Sequence, residues 1–98
     1  MKVHYSPLAR RDIESIGGYL GERNPSGAAN VLTAIHRAVN HIADLPLSAR
    51  KTTRPDIRVT TLARYPYKIF YKPLPNLVEI VHVRHTARRP WRGADEAS

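Results

Sequence analysis

The stretch that decides the fold is YKIFYKPLPNLVEIVHVRH, residues 67–85. Residues 67–72 are rich in aromatic side chains and alternate between apolar and polar positions, and residues 77–85 are rich in valine and isoleucine. Both patterns are typical of β-strands. The intervening Pro73-Leu74-Pro75-Asn76 is short enough for a hairpin. This stretch therefore predicts two neighbouring antiparallel strands.

Two further strands are predicted upstream. Residues 57–62 are β-branched and alternating, and the short connector 63–66 joins them to residue 67, which predicts another strand of an antiparallel meander. Residues 2–5 also alternate polar and apolar side chains, as a short first strand does. Residues 47–56 are polar, contain a proline and are interpreted as a loop.

Two helices are predicted between the first strand and this loop. Ser6-Pro7 and Asn24-Pro25 each combine a helix-capping side chain with a proline at the first helical position. Apolar residues then recur every three or four positions, which gives each helix one apolar stripe. These residues are Ala9, Ile13, Ile16 and Leu20 in the first helix and Ala28, Leu32, Ile35, Val39 and Ile42 in the second. Because few residues separate the helices, they are expected to form an antiparallel hairpin.

The order of these elements, β-α-α-β-β-β, predicts an α+β fold in which the helical hairpin covers one face of a twisted antiparallel sheet. Gly17, Gly18 and Gly21 interrupt the first helix, and each costs about 1 kcal/mol relative to alanine. We expect close approach of the second helix to compensate. The opposite face of the sheet has no helix left to cover it and is the expected location of the function.

Length and composition restrict the class of protein. The chain has 98 residues and no cysteine, so we expect one domain at residues 1–92, a flexible tail at residues 93–98, and no disulfide or thiolate chemistry. The longest apolar run is Ile69-Phe70-Tyr71, whereas a membrane helix needs ~20 apolar residues, and no signal-peptide core follows Met1. A soluble, cytoplasmic protein without membrane contact is therefore expected.

Positive charge is concentrated in the second half of the chain. The net charge is +8, and residues 50–98 contribute +7 of it, from eleven basic and four acidic side chains. Such asymmetry indicates a polyanionic or acidic partner for this half. A solvated surface in a protein of high pI is the simpler alternative.

Basic residues of the predicted strands form the first candidate site. Because side chains alternate across a strand, Arg58, Lys68 and Arg84 are predicted as neighbours on the open face of the sheet. Arg64 and Arg88 are expected near the ends of that face. A basic sheet of this kind would bind phosphate, and arginine would stabilise the charge that develops at a phosphate under attack.

Histidines and Trp91 are the remaining candidates. The alternation of the last strand groups His82 with Val78 and Ile80 and predicts His85 on the opposite face, so the two histidines cannot bind one metal ion. His85 is a candidate general acid or base, and the alternative is a strand-end histidine hydrogen-bonded to a nearby carbonyl. Trp91 would either stack on a base or pin the C-terminal segment to the domain. Neither a metal nor a cofactor is expected.

Several short motifs occur in a characteristic order and spacing. They are Tyr5-Ser6-Pro7, Asp12-Ile13, Ile16, Tyr19-Leu20, Asn24-Pro25, Ala28-Ala29, Arg58, Tyr67 to Tyr71 and Val78 to Arg88. In these motifs the chain resembles the RelE/ParE superfamily of toxins from type II toxin–antitoxin systems, over residues 2–91. The resemblance implies a toxin that arrests growth until a cognate acidic antitoxin neutralises it, with opposite charges speeding their encounter.

Two targets follow from the resemblance. RelE-like members cleave mRNA in the ribosomal A site, which would use Arg58 and Arg84 as phosphate clamps and His85 for proton transfer. ParE-like members inhibit DNA gyrase and need no chemistry of their own. The strand that is rich in lysine in the RelE branch has few lysines here, and no tyrosine follows the last strand. The long helical hairpin and the ending His85 to Arg88 look more like ParE. Gyrase inhibition is therefore favoured over ribonuclease activity.

Contacts with the target or the antitoxin are expected from Arg64, Lys68, Arg88, Arg89 and Trp91. A third interpretation, a non-toxic nucleic-acid-binding module, needs only the basic second half of the chain. It predicts steeply salt-dependent binding and no toxicity on expression.

Overall fold

The computed structural model describes residues 1–87, which form two helices and one five-stranded sheet. The elements in chain order are β1 (Lys2–Tyr5), α1 (Pro7–Arg23), α2 (Pro25–Asp44), β2 (Arg50–Lys51), β3 (Arg58–Thr61), β4 (Tyr67–Pro73) and β5 (Leu77–His85). The predicted α+β fold is confirmed, with β2 as an addition. The predicted tail at residues 93–98 lies outside the described residues. Among residues 1–87, no helix combines the length and apolar composition needed to cross a membrane.

Both helices begin at the predicted caps. Oγ of Ser6 accepts the N–H of Ala9 at 3.0 Å, and Oδ1 of Asn24 accepts the N–H of Gly27 at 3.0 Å. Oγ of Ser6 also donates to the carbonyl of Val81 at 2.8 Å, which ties the start of α1 to β5. Only Asn24 separates the two helices, so they form the predicted hairpin.

The strand order in the sheet is β1-β5-β4-β3-β2. β3, β4 and β5 form the predicted antiparallel meander, but β1 runs parallel to β5, so the sheet is mixed rather than wholly antiparallel. No turn joins β1 to β5, because both helices and three strands separate them in the chain. A short connecting turn, the sequence feature that predicts an antiparallel pair, is therefore missing between β1 and β5, and the sequence could not show that these strands run parallel.

The strand β2 lies in the segment that was predicted to be a loop. Its two residues pair antiparallel with β3. Thr52 closes the turn that follows, because its backbone N–H and its Oγ1 both donate to the carbonyl of Ile57, at 3.1 and 3.0 Å. Pairing with β3 sets the extended conformation of β2. The polar composition of this segment does not encode that pairing.

A β-bulge interrupts β5. Phe70 pairs with His82, and the next residue of β4, Tyr71, pairs with Ile80. Val81 is therefore an extra residue in β5, and it packs beside Phe70 on the face away from the helices.

The bulge overturns the predicted alternation of the last strand. Beyond it, Val83 packs in the core beneath the helices together with Ile80, although the alternation predicts opposite faces. His82 and Arg84 consequently turn to the open face, and His85 turns to the helix side. One inserted residue exchanges the faces of every side chain that follows it.

The helical hairpin packs on one face of the sheet and forms the main core. Its buried members are Ala9, Val31, Ile35, Val39 and Ile42 from the helices and Leu62, Tyr67, Ile69, Tyr71, Val78, Ile80 and Val83 from the sheet side. Leu32, predicted in the apolar stripe, is half-buried and lies against α1, where a Cβ added at Gly17 would be 3.5 Å from its Cδ1. At Gly18 and Gly21 an added Cβ would meet no atom within 4 Å. An added Cβ at Gly17 would therefore make an ordinary van der Waals contact, and close helix approach requires glycine at none of the three positions.

Candidate functional site

The open face of the sheet is partly apolar. Both helices pack in the main core, and within residues 1–87 neither covers this face. Ile57, Val59 and Phe70 are only 2%, 2% and 3% exposed here, and Val81 packs against them. The prediction was a partly polar face with basic side chains and no covering helix. Within residues 1–87 the face is free of helices, although its apolar cluster is almost wholly excluded from solvent. The face combines an apolar cluster with cationic side chains.

Two of the predicted cations are neighbours on this face. Lys68 of β4 lies directly opposite Arg84 of β5, and Thr61 of β3 lies opposite Lys68. Like charges that are directly opposed destabilise a sheet.

Arg58 does not lie on the open face, contrary to the prediction. It pairs with Tyr71 of β4, whose side chain is in the main core. Its Nη1 donates to the carbonyls of Leu47 and Ala49, at 3.1 and 2.8 Å. The guanidinium therefore fastens the loop after α2 to β3. The prediction failed because the register between strands decides which residue of β3 lies beside Lys68.

His85 lies on the helix side of the sheet, at the end of β5. It is opposite Tyr67, and the two ring centroids are 5.4 Å apart in an edge-to-face arrangement. Its Nδ1 accepts the N–H of Ala87 at 3.0 Å, so the neutral ring carries its proton on Nε2. The alternative interpretation of His85, a strand-end histidine hydrogen-bonded to a backbone carbonyl, is close to this arrangement. The backbone partner in the structure is an N–H group and not a carbonyl. His82 packs beside Phe70 on the opposite face, so the two histidines point apart as predicted.

An apolar cleft lies between the helical hairpin and the end of the sheet, beside His85. Its volume is about 830 Å³. Its apolar and aromatic walls are formed by Ile16, Tyr19, Leu20, Val31, Tyr65 and Tyr67. Tyr19 is 59% exposed, and its ring centroid is 3.8 Å from the guanidinium carbon of Arg23. Concave apolar surfaces of this kind accept the side chains of a ligand or partner.

A second, polar groove adjoins the cleft at Tyr65. Its volume is about 590 Å³, and its polar lining is formed by Asn30, Thr33, Arg37 and Arg64. Within residues 1–87, the side chains of Arg37 and Arg64 form no hydrogen bond or ion pair. Arg64, predicted near the end of the open face, is thus part of a groove beside α2. We call it the arginine groove.

The other predicted contact residues, Arg88, Arg89 and Trp91, lie outside the described part of the chain. Within that part, no three histidine, aspartate or glutamate side chains are grouped closely enough to hold a metal ion.

A part-buried chain of hydrogen bonds joins α1 to β5, and no sequence pattern predicted it. Oδ2 of Asp12 accepts the N–H of Val83 at 2.8 Å and is hydrogen-bonded to Nδ1 of His82. On the other side of the ring, Nη1 of Arg84 is 3.2 Å from Nε2 of His82. Asp12 belongs to a motif that carries the family resemblance, but no local pattern links it to His82, 70 positions away.

This fold, with a helical hairpin on one face of the sheet and an open opposite face, defines a small protein of the RelE/ParE type. A solved structure titled as the chromosomal ParDE toxin–antitoxin system of P. aeruginosa aligns with a TM-score of 0.75 at 18% identity, over 87% of this chain and 95% of that chain. The isolated E. coli RelE toxin aligns with a TM-score of 0.68 at 15% identity, over 90% of this chain and 86% of that chain. Both likenesses establish the fold.

The sequence assigns the family. Residues 3–90 match the family described as "ParE toxin of type II toxin-antitoxin system, parDE". The candidate toxin Y4kP of Sinorhizobium fredii (strain NBRC 101917 / NGR234) is 33% identical over 90 residues, which cover 92% of each chain. The chain belongs to the ParE toxin family and is a toxin of a type II toxin–antitoxin system.

Proposed function

We propose that this toxin arrests growth by inhibiting DNA gyrase, without chemistry of its own, and that a cognate acidic antitoxin neutralises it. The observation that carries the proposal is the separation of the three side chains on which ribonuclease chemistry would depend. Arg84 is on the open face, whereas Arg58 and His85 are on the helix side.

The separation is large for a catalytic site. Arg58 lies opposite Tyr71 and His85 lies opposite Tyr67, four positions apart on β4. At about 3.3 Å per residue these positions are roughly 13 Å apart. A general acid or base must come within hydrogen-bonding distance of the reacting group, about 3 Å. Arg58 also donates to two backbone carbonyls, which removes donors that a phosphate clamp would need.

Two assays on one preparation test the target. We expect the purified protein to stop supercoiling by gyrase, or to trap a cleaved gyrase–DNA complex, and to leave translation of a reporter mRNA intact. Arg84→Ala should weaken the inhibition, whereas Arg11→Ala should not, because Arg11 is an exposed residue of α1 and the helices pack on the opposite face of the sheet.

The outcomes separate the three interpretations. Codon-phased cuts in the mRNA with unimpaired supercoiling would replace this proposal by the ribonuclease alternative. Salt-dependent DNA binding with neither effect would favour the nucleic-acid-binding module.

For the antitoxin, the proposed site is the apolar cleft together with the arginine groove. The two surfaces meet at Tyr65, so one segment can place apolar side chains in the cleft and carboxylates beside Arg37 and Arg64. Guanidinium groups bind carboxylates through paired hydrogen bonds. An acidic, flexible segment that orders on binding fits this combination of surfaces.

Charge reversal tests this site. Arg37→Glu combined with Arg64→Glu should weaken binding of the acidic protein encoded beside the toxin about tenfold or more, because attraction becomes repulsion. Arg11→Glu changes the net charge by the same amount per substitution on a surface outside both grooves, and it should have a much smaller effect. Equal losses for the groove and control positions, compared per substitution, would argue for general attraction without a defined site.

A further inference from the structure

We infer that the loop after α2, residues 45–49, is a second contact for the acidic antitoxin, with Leu45 and Leu47 as its apolar anchors. We call this segment the leucine loop. The inference rests on the proposed function and extends the proposed antitoxin site, the apolar cleft and the arginine groove, to the C-terminal end of α2. The partner is an acidic segment that carries apolar side chains at both of its ends.

Two large apolar side chains of the leucine loop lie in solvent. Leu45 is 53% exposed and Leu47 is 67% exposed. Leu47 is the most exposed large hydrophobic side chain among residues 1–87. Removing such surface from water is favourable, and apolar side chains that are clustered on a surface mark a contact with a partner.

The first half of the leucine loop is fixed by hydrogen bonds to its carbonyls. The carbonyl of Leu45 accepts the backbone N–H and the Oγ hydroxyl of Ser48, at 3.1 and 2.7 Å. The next carbonyl, of Pro46, accepts the hydroxyl of Tyr71 at 2.7 Å. Because Tyr71 is fully buried in the main core, this bond ties the loop to the sheet.

The second half of the leucine loop is fixed by Arg58. Its Nη1 donates to the carbonyls of Leu47 and Ala49, at 3.1 and 2.8 Å. The two leucines are therefore presented to solvent on a backbone that has little freedom left to lose. A preorganised contact binds more tightly, because less ordering is needed when the partner docks.

The charge beside the leucine loop favours an acidic partner. Lys51 of β2 is exposed and lies directly opposite Arg58, so its side chain is on the same face of the sheet as the loop that Arg58 holds. A second copy of this chain also has a net charge of +8 and would be repelled. An acidic segment is attracted instead.

α2 connects the leucine loop to the proposed antitoxin site. Val31 of α2 lines the cleft, Arg37 lines the arginine groove, and Leu45 follows the last residue of the helix. At 1.5 Å per residue, Leu45 is about 12 Å along the helix from Arg37 and about 21 Å from Val31. An extended segment of about six residues spans the longer distance. One antitoxin segment can therefore reach all three surfaces.

Asp44 determines the charge pattern that such a segment needs. It is exposed and lies seven positions after Arg37, which is two turns along the same side of α2. A carboxylate of the partner beside Asp44 would be repelled. The segment therefore carries carboxylates beside Arg37 and Lys51 and an uncharged residue between them.

Serine substitutions test the leucine loop by titration calorimetry, with the acidic protein encoded beside the toxin as the probe. Leu45→Ser and Leu47→Ser should each weaken binding about tenfold, the value of burying most of one leucine side chain. Leu8→Ser is the matched control, because Leu8 is exposed on α1 and lines neither the cleft nor the arginine groove. It should change binding less than about twofold. Equal losses at the three positions would overturn the inference.

Asp44→Asn tests the path of the segment along α2. It should strengthen binding about twofold to fivefold, because it removes a repulsive charge from that path. Glu14→Gln changes the net charge equally on α1, outside the cleft and the arginine groove, and should have a much smaller effect. Equal gains at both positions would contradict the proposed path.

Arg58→Ala tests the preorganisation of the loop. Release of the Leu47 and Ala49 carbonyls should weaken antitoxin binding about threefold to tenfold, because the loop must then be ordered on binding. In a Leu47→Ser background the same change should have little further effect, whereas a role in stability alone gives additive losses. Additive losses would overturn the positioning role of Arg58.

Gyrase inhibition separates the antitoxin from other occupants. The variant that combines Leu45→Ser and Leu47→Ser should inhibit supercoiling as wild type does, but should need about a hundredfold more antitoxin for neutralisation. Loss of inhibition with unchanged antitoxin binding would make the loop a target contact and overturn the inference. Self-association of wild type that this variant abolishes would identify a second copy as the occupant and would also overturn it.

The calorimetry does not depend on gyrase, so the proposals fail separately. If wild type does not inhibit gyrase but the leucine variants lose antitoxin binding, the proposed target alone is refuted. If Arg37→Glu with Arg64→Glu leaves binding unchanged, the two grooves are refuted as the antitoxin site. If only the leucine variants leave binding unchanged, the leucine loop alone is refuted.

Discussion

Arg58 and Tyr71 meet at the junction between the sheet and the loop after α2. Nη1 of Arg58 donates to two carbonyls of that loop, and Oη of Tyr71 donates to the carbonyl of Pro46 at 2.7 Å. These bonds satisfy backbone acceptors where the helix has ended. At the scale of single residues, both side chains therefore serve stability.

Arg58→Ala should lower the free energy of unfolding by about 1–3 kcal/mol, because it removes charged hydrogen bonds to the loop. Urea denaturation measures this loss. Inhibition of gyrase by the folded fraction should remain within about twofold of wild type, since Arg58 is not on the open face. If the variant lost inhibition while its stability stayed unchanged, Arg58 would instead be a residue of the functional site.

Tyr71→Phe should lower the free energy of unfolding by about 1 kcal/mol near neutral pH. Burial raises the pKa of Tyr71, so the folded chain keeps the phenolic proton where the unfolded chain begins to lose it, near pH 10. This contribution is present below about pH 10 and is lost as the pH rises through the raised pKa. Denaturation between pH 8 and pH 11 should therefore show a shallower alkaline decline in Tyr71→Phe, and an unchanged slope would contradict the assignment.

At the scale of elements, α1 contains glycines that lower its helix stability and that the packing does not require. Gly17 lies against Leu32, but Gly18 and Gly21 have open space where a Cβ would be. Glycine inside a helix lowers stability because the unfolded chain has more conformational freedom. These two positions are therefore sites where the helix is less stable than its contacts require.

Gly18→Ala and Gly21→Ala should each raise the free energy of unfolding by up to about 1 kcal/mol. Gly27→Ala is the matched contrast in α2. Its Cβ would lie 2.7 Å from Nδ2 of Asn24, so the gain in helix propensity is offset by disturbance of the cap. Thermal unfolding of the three variants gives the comparison, and equal stabilisation at all three positions would contradict the role of the Asn24 cap.

At the scale of the whole molecule, the helical hairpin divides the surface into two regions. The open face carries Lys68 and Arg84 beside an apolar cluster, and the helix side carries the apolar cleft and the arginine groove. With a net charge of +8, the whole chain attracts acidic partners at long range. Apolar contacts then act only after the partner has docked.

The association rate with the acidic antitoxin should therefore fall about tenfold or more between 0.05 M and 0.5 M salt, because screening removes long-range attraction. The dissociation rate should change much less, since burial of apolar side chains in the cleft is not screened. Surface plasmon resonance across the salt series measures both. A dissociation rate that carries most of the salt dependence would contradict the proposed apolar anchor.

The local signals of the sequence determined the elements of this fold. Ser6-Pro7 and Asn24-Pro25 mark the helix starts, and residues 77–85 form β5 with the predicted bounds. Capping, apolar periodicity and hairpin length act within a few residues, so they can be read from the chain. The family resemblance, which rests on the same motifs, was confirmed by the match over residues 3–90.

Only the tertiary structure decided which side chains share a face. The register of β3 with β4 places Arg58 on the helix side instead of the predicted open face, and the bulge at Val81 places His82 on the open face beside Arg84, which was predicted there. Asp12 met His82 because α1 crosses the edge of β5 that β1 leaves open. Register, bulges and such long-range hydrogen bonds depend on partners far away in sequence, and no local pattern encodes them.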